Sequence, residues 1–296
     1  MQSRPMPQVA GVEHRYVVAN GIRFHVAEAG AGEPLLLLHG FPQHWYAWRH
    51  LVPLLAAQHR LIMPDLRGFG WSDAPHRGYG TNARVDDLLA LMDACGLDRV
   101  TLVAHEWAAW AGFMACLREP GRFRHHLALN IVHPWPDHRA TIRHAWRMWY
   151  TALWEYPLVG GAVLRHWPGF TRYILRRGVT GVWQTPALEE FVESVRSRAR
   201  AHAGQALHWQ YVLRDIPRLA TRRFRHQRLQ VPTTLLFGED DFAFAAQSLD
   251  VGGSHGVDVR VVPGGHYLPE ERPDLVAATV SELFGTMESH REEIVG

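Results

Sequence analysis

The stretch RVTLVAHEWAAWAGF, residues 99–113, decides how the rest of this chain is read. Val100, Leu102, Val103 and Ala104 form a short, apolar, β-rich run of the kind that fills a central parallel strand, and Trp107 to Leu117 carries apolar residues at helical spacing. Between them, Ala104-His105-Glu106-Trp107-Ala108 sets an acid among small flanking residues. That is the small-x-nucleophile-x-small pattern of a strand-to-helix elbow, where two backbones converge and a bulky Cβ substituent would block the turn. Such a turn would present Glu106 above the sheet, beside the first free N–H groups of a helix, which favour negative charge. Taken alone, the pattern admits two readings: a nucleophilic carboxylate, or an acid that merely starts a helix.

At 296 residues and 47% apolar composition, the chain can bury a sizeable core in one or two domains. The formal net charge is +2 and the arginines are scattered among acids, so neither nucleic acid nor an anionic membrane surface is demanded as a partner. The basic run Arg222-Arg223-Phe224-Arg225 reads as a solvated helix face. Cys95 and Cys116 lie in helical patterns, which argues against a disulfide framework and is compatible with a reducing compartment. The N-terminal segment lacks the apolar run of a signal peptide, and no stretch approaches the ~20 apolar residues of a membrane span, so a soluble cytoplasmic protein is expected. The histidines form no ligand motif: His125 and His126 are adjacent near a strand start, where alternation points them to opposite faces. Neither a metal nor a cofactor is expected, and the composition is compatible with a homodimer.

Outward from the central stretch, residues 13–20 and 22–29 read as alternating strands joined at Asn20-Gly21, a hairpin signal. Leu35 to Leu38 suits a sheet covered on both faces, and it ends in the turn-rich His39-Gly40-Phe41-Pro42, at the strand end where ligand sites of open α/β sheets form. A helix is predicted at about 46–57, a strand at 60–64, then the loop Asp65-Leu66-Arg67-Gly68, read as a salt-bridged brace against the sheet. An amphipathic helix over 82–95 stops at Gly96, and a further strand is predicted at 127–133. Alternation of this kind implies a mostly parallel, doubly wound α/β sheet. From 134 to 230 the strand signals vanish and aromatic-rich helical segments take over, which reads as an inserted helical cap between core segments 1–133 and 231–296. The sheet resumes at 231–237, followed by Gly238-Glu239-Asp240-Asp241, and at 257–262, followed by Pro263-Gly264-Gly265-His266; residues 273–287 make the terminal helix.

Glu106, an acid within 239–241 and His266 therefore each follow a predicted strand, in the order nucleophile, acid, histidine, which is the order of the α/β-hydrolase triad. The chain resembles the α/β-hydrolase superfamily, and within it the epoxide hydrolases and the related haloalkane dehalogenases, from the hairpin through His39-Gly40-Phe41-Pro42, the elbow and the cap to His266. An ionised carboxylate needs no base to attack an epoxide or alkyl-halide carbon and form an ester, while a histidine oriented by an acid can activate the water that cleaves it.

The resemblance implies Glu106 as nucleophile, Asp241 as the acid and His266 as the base, with the backbone N–H groups of Phe41 and Trp107 as oxyanion hole. It further implies Tyr150 in the cap as proton donor to the departing alkoxide. Gln210 stands where the family's second tyrosine is usual, with Tyr211 next to it; Trp154 and Trp209 complete the substrate-binding set. Two departures stand out: Glu106 replaces the usual aspartate, and Ala108 and Ala109 replace common glycines. The expected activity is hydrolysis of a small apolar epoxide to a diol. Haloalkane dehalogenation is the alternative, with Trp107 as a halide ligand, and a catalytically silent binding protein is the alternative from another class.

Overall fold

The computed structural model describes residues 4–157, 159–249 and 255–295. Asn20 and Gly21 both adopt positive φ, 47° and 69°, so the tight turn forms and β1 (Glu13–Ala19) pairs antiparallel with β2 (Ile22–Ala29). These lead into β3 (Glu33–Leu38), β4 (His59–Pro64), β5 (Val100–His105), β6 (Phe123–Leu129), β7 (Thr233–Gly238) and β8 (Val257–Val262). The described strands form one eight-stranded sheet in the order β1-β2-β4-β3-β5-β6-β7-β8, parallel from β4 to β8. The central strands β3 and β5 are largely apolar, residues 35–38 and 100–104 being broken only by Thr101, because both faces are covered.

Helices α1 (Val52–Leu55), α2 (Thr81–Ala94) and α3 (Trp107–Arg118) alternate with the early strands. Between β6 and β7 lie α4 (His138–His144), α5 (Ala152–Glu155), α6 (Val159–His166), α7 (Pro168–Arg177), α8 (Thr185–Ser194), α9 (Arg198–Gln210) and α10 (Ile216–Ala220), with a 3₁₀ segment at Ala145–Thr151 and a π-helical turn at Tyr211–Asp215. We refer to this segment as the cap. The short α11 (Leu268–Glu271) and α12 (Pro273–Val295) close the chain. One sheet face packs Leu36, Leu38, Leu102 and Ala104 against Leu88, Leu91, Trp110 and Phe113 of α2 and α3. The other packs Leu35, Leu37, Val103 and Leu127 against Trp45, Trp48, Val276 and Val280. A third cluster joins Phe41, Phe69 and Trp107 at the strand ends to Tyr150, Trp154, Leu164 and Leu207 of the cap.

Several local expectations are corrected. The helix predicted over 46–57 is a 3₁₀ turn at Trp45–Trp48 followed by the single turn of α1, because Pro53 has no N–H to donate and its ring excludes a continuous helix through that point. Strand β6 begins four residues before the predicted start and stops at Leu129, where Asn130 takes a φ of 48°; buried His125 and His126 belong to it. Arg222-Arg223-Phe224-Arg225 is a turn after α10, with Arg222 at φ 51°, its arginines exposed and Phe224 buried. Asp65 does brace its loop, but through His25 and the N–H groups of Trp45 and Trp71; Arg67 pairs instead with Asp87 of α2. Among the described residues no helix is long and apolar enough to cross a membrane.

Candidate active site

The turn from β5 into α3 forces Glu106 to φ 54° and ψ −124°, a conformation that costs a residue with a side chain of order 1–3 kcal/mol. It is held there by its own N–H to the Leu129 carbonyl at 3.0 Å and by its carbonyl, which accepts from Trp110 N–H at 3.1 Å. Packing demands small neighbours: an added Cβ on Gly40 would lie 2.7 Å from Glu106 Oε2 and one on Gly112 2.5 Å from His126 Nε2. The Glu106 side chain thus projects upward at the C-terminal edge of the sheet, only 8% exposed.

Its Oε2 accepts the Phe41 N–H at 2.5 Å, and its Oε1 stands 4.0 Å from His266 Nε2. Burial pushes the Glu106 carboxyl up to about 7, although His266, the Phe41 N–H and Arg84 all pull the other way. Trp107 is the first residue of α3, so its N–H has no acceptor within the helix.

His266 is positioned from three sides. Its Nδ1 bonds Asp241 Oδ2 at 2.8 Å, its backbone N–H donates to Gly178 of the cap at 2.6 Å, and its carbonyl accepts from His105 Nε2 at 2.8 Å. Burial disfavours the imidazolium, but Asp241, with a smaller contribution from Glu106, outweighs it and raises His266 above its ordinary value. Asp241 is fully buried. It nevertheless lies below its ordinary value, because His266, the N–H groups of Ala243 and Phe244 at 2.7 and 3.0 Å, and Asn130 Nδ2 at 2.9 Å satisfy the carboxylate. Neither Glu239 nor Asp240 takes this place; both are exposed.

Tyr150 is buried in the cluster shared by cap and strand ends, its ring 5.6 Å from Trp154 and 5.1 Å from Phe242. Burial first, then the nearby Glu106 charge, raises its phenol far above the ordinary range, so it stays protonated. Beside it opens a mouth of about 320 Å³ lined by Trp146, Trp149, Tyr150, Ile174, Arg177 and Phe242, among others. Trp154 also faces the site, 5.1 Å from Phe41, with its buried Nε1 lacking an acceptor.

Gln210 and Trp209 are not brought to Glu106. They line a separate groove of about 650 Å³ on the other side of α9, with Gly80, Gln205 and Arg214. Tyr211 packs its ring 4.4 Å from Trp107 and 5.8 Å from Trp110; the charges acting on its phenol are Asp215 and Glu155 rather than Glu106. The reason is helical phase: 200° separates residues 208 and 210, so the face turned to the site carries His208, which sequence reasoning missed. His208 donates from Nδ1 to the Gly204 carbonyl at 2.7 Å, leaving Nε2 to accept the Trp107 indole N–H at 3.3 Å. Its ring lies 4.7 Å from Phe41, and burial keeps it neutral, down to about 4. Asn130 was missed as well. The spacing Gly204, Leu207, His208, Tyr211 marks one helix face and was the available signal for His208.

The sequence profile described as alpha/beta hydrolase fold matches residues 33–273. The chain belongs to the α/β-hydrolase fold family. Within it, the chain is 43% identical over 123 residues to "Epoxide hydrolase 2" of Siraitia grosvenorii, a match spanning 40% of this chain and 39% of that protein. The chain therefore spans about two fifths of the length of that relative. It is 26% identical over 280 residues to "Epoxide hydrolase 4" of Mus musculus, across 87% of this α/β hydrolase and 75% of the mouse protein. Among solved structures, wild-type Cfl2 from Burkholderia cenocepacia superposes with a TM-score of 0.80 at 26% identity, covering 95% of this chain and 98% of the other. The epoxide hydrolase VrEH1 from Vigna radiata shares the fold, with a TM-score of 0.77 at 24% identity over 95% of this chain and 100% of that one.

Proposed function

We propose that this α/β hydrolase opens a small apolar epoxide to a diol in two steps. The observation that carries the reading is the disposition of Glu106, with one oxygen on the Phe41 N–H and the other facing His266. Glu106 Oε1 attacks an epoxide carbon, the ring C–O bond breaks, and the alkoxide takes the Tyr150 phenolic proton. In the resulting ester Oε2 becomes the carbonyl oxygen, already seated on the Phe41 N–H, with the Trp107 N–H as the second donor. Water then attacks the ester carbon and gives a proton to His266, whose imidazolium is stabilised by Asp241. Collapse of the tetrahedral intermediate expels the diol oxygen, which takes the proton back from His266. The remaining water proton leaves the Glu106 carboxyl through solvent and restores Tyr150.

The epoxide-hydrolase names of the relatives support this chemistry, and the apolar walls of Phe41, Trp154 and Phe242 support an apolar substrate. The dehalogenase alternative is weakened because the Trp107 indole N–H is engaged by His208. A silent binding protein is disfavoured by the ordered Asp241–His266 pair beside a carboxylate. Single turnover in ¹⁸O-water tests the mechanism: label must enter the Glu106 carboxyl in the first turnover and the diol only afterwards. Label entering the diol directly in the first turnover would mean that Glu106 acts as a general base.

A further inference from the structure

The formal charge of +2 for the whole chain averages over an uneven distribution: between Asp137 and Glu189, Glu155 is the sole acid against seven arginines. The same cap segment exposes its large apolar side chains. Ile142, Trp146, Trp149 and Trp167 are each more than half exposed, and Tyr173 nearly so. These side chains are neighbours. Trp146 and Trp149 are three apart in the 3₁₀ segment, where such side chains eclipse, and Ile142 lies four residues before Trp146 near the end of α4. The Trp149 ring is 6.4 Å from Phe170, on which Trp167 stacks at 5.1 Å, and Tyr173 follows on α7 with its hydroxyl 3.5 Å from the Arg177 guanidinium. Trp146, Arg147, Trp149 and Arg177 rim the mouth that opens beside Tyr150. Among the described residues only Arg172 of the seven arginines is ion-paired, to Glu189, and Arg147 spends its donors on the backbone carbonyls of Asp241 and Phe244. Exposed aromatic area flanked by unneutralised cations marks a contact surface.

We propose that this rim is a docking surface for an anionic phospholipid bilayer, which seats the cap on the membrane with the mouth of the site turned towards it. Tryptophan and tyrosine rings settle at the headgroup level of a bilayer, and the guanidinium groups beside them meet lipid phosphates. The acids nearby do not cancel the charge: Asp240 is the one acid lining the mouth, against Arg147 and Arg177, and Glu155 is half-buried. A second copy of this chain fits the face less well, since a twofold pairing would set the arginines of one cap against those of the other. No helix among the described residues is long and apolar enough to cross a membrane, so the contact proposed is peripheral. A molecule dissolved in the bilayer would then reach Tyr150 without crossing bulk water. That this molecule is an apolar epoxide rests on the reaction proposed above; the contact itself does not.

Vesicle flotation of the full chain, without substrate, tests the contact. At low ionic strength the protein should float with vesicles of equal parts phosphatidylglycerol and phosphatidylcholine, bind vesicles of phosphatidylcholine alone about tenfold more weakly, and leave the anionic vesicles as salt is raised to about 0.5 M. Neutralising two arginines, Arg143→Gln with Arg177→Gln, should weaken binding about twentyfold, roughly fivefold for each charge. Trp146→Ser with Trp149→Ser should weaken it about tenfold. Arg118→Gln with Arg122→Gln removes the same charge from the far end of α3 and the turn after it, at the opposite edge of the sheet, and should leave binding unchanged. Failure of the parent to float with anionic vesicles at low salt overturns the proposal. So does binding that survives both rim variants, or that falls equally in the Arg118→Gln, Arg122→Gln variant. A parent that is a dimer by light scattering and a monomer in the Trp146→Ser, Trp149→Ser variant would give the face to a second copy and overturn it too. If the protein floats as expected yet turns over no epoxide, the inference about the surface stands and the reaction is what fails.

Discussion

His266 Nε2 and Glu106 Oε1 are 4.0 Å apart, beyond hydrogen-bonding distance, while the far side of the same imidazole is bonded to Asp241 at 2.8 Å. At that separation the imidazole and the carboxylate do not close into a hydrogen-bonded ion pair. In the proposed mechanism both must lose a proton: Glu106 to attack, His266 to accept from water. With Glu106 near 7 and His266 above its ordinary value, epoxide hydrolysis should rise with pH through neutrality and hold on the alkaline side. The pH dependence of kcat/KM checks this. A profile flat down to about pH 5 would contradict an ionised Glu106 as the attacking group.

Glutamate fits this elbow as it stands, since its Oε2 already meets the Phe41 N–H at 2.5 Å. Glu106→Asp should withdraw the carboxylate by about one bond length and lower epoxide turnover by about a hundredfold, the scale of an ångström misplacement. Glu106→Gln should abolish it. Equal or faster turnover in Glu106→Asp would show that the pocket is not fitted to the longer side chain.

Tyr150→Phe should slow epoxide opening by roughly 10²- to 10⁴-fold, the usual worth of a positioned acid, with little effect on hydrolysis of an ester already formed on Glu106. Rapid-quench measurement of ester formation separates the two steps. Unchanged ester formation would remove Tyr150 from the chemistry.

His126 has neither ring nitrogen hydrogen-bonded and is buried against Phe113, with burial taking it down to about 3. Unfolded, it would take up a proton near 6.5, so the unfolded chain binds more protons between those values and stability falls as pH drops through that window, by up to about 1.4 kcal/mol per pH unit for this histidine. His126→Leu should add about 1–3 kcal/mol at neutral pH and flatten that slope. Calorimetric unfolding at several pH values reads both; a variant less stable than the parent at every pH would refute the account.

Much of the architecture could be read because it is written in local pattern: β5 and its elbow, the hairpin at Asn20-Gly21 and the strand ends before Asp241 and His266 each occupy a short, contiguous stretch. What escaped depends on phase and on long-range contact. Gln210 and His208 differ by two residues yet face opposite sides of α9, so aligning the cap by motif chose the outward one. Asn130 reaches Asp241 from 111 positions away, and Arg84 reaches Trp107 from 23; nothing near either residue signals its partner. The helix expected at 46–57 failed for the opposite reason, since a single proline overrode an acceptable apolar pattern.

Trp107 begins α3 with its amide beside Glu106 and fastens its indole to His208 of the cap. Any displacement of α9 must therefore give up a bond rooted at the elbow itself, and the indole proton of Trp107 would report it from the floor of the site.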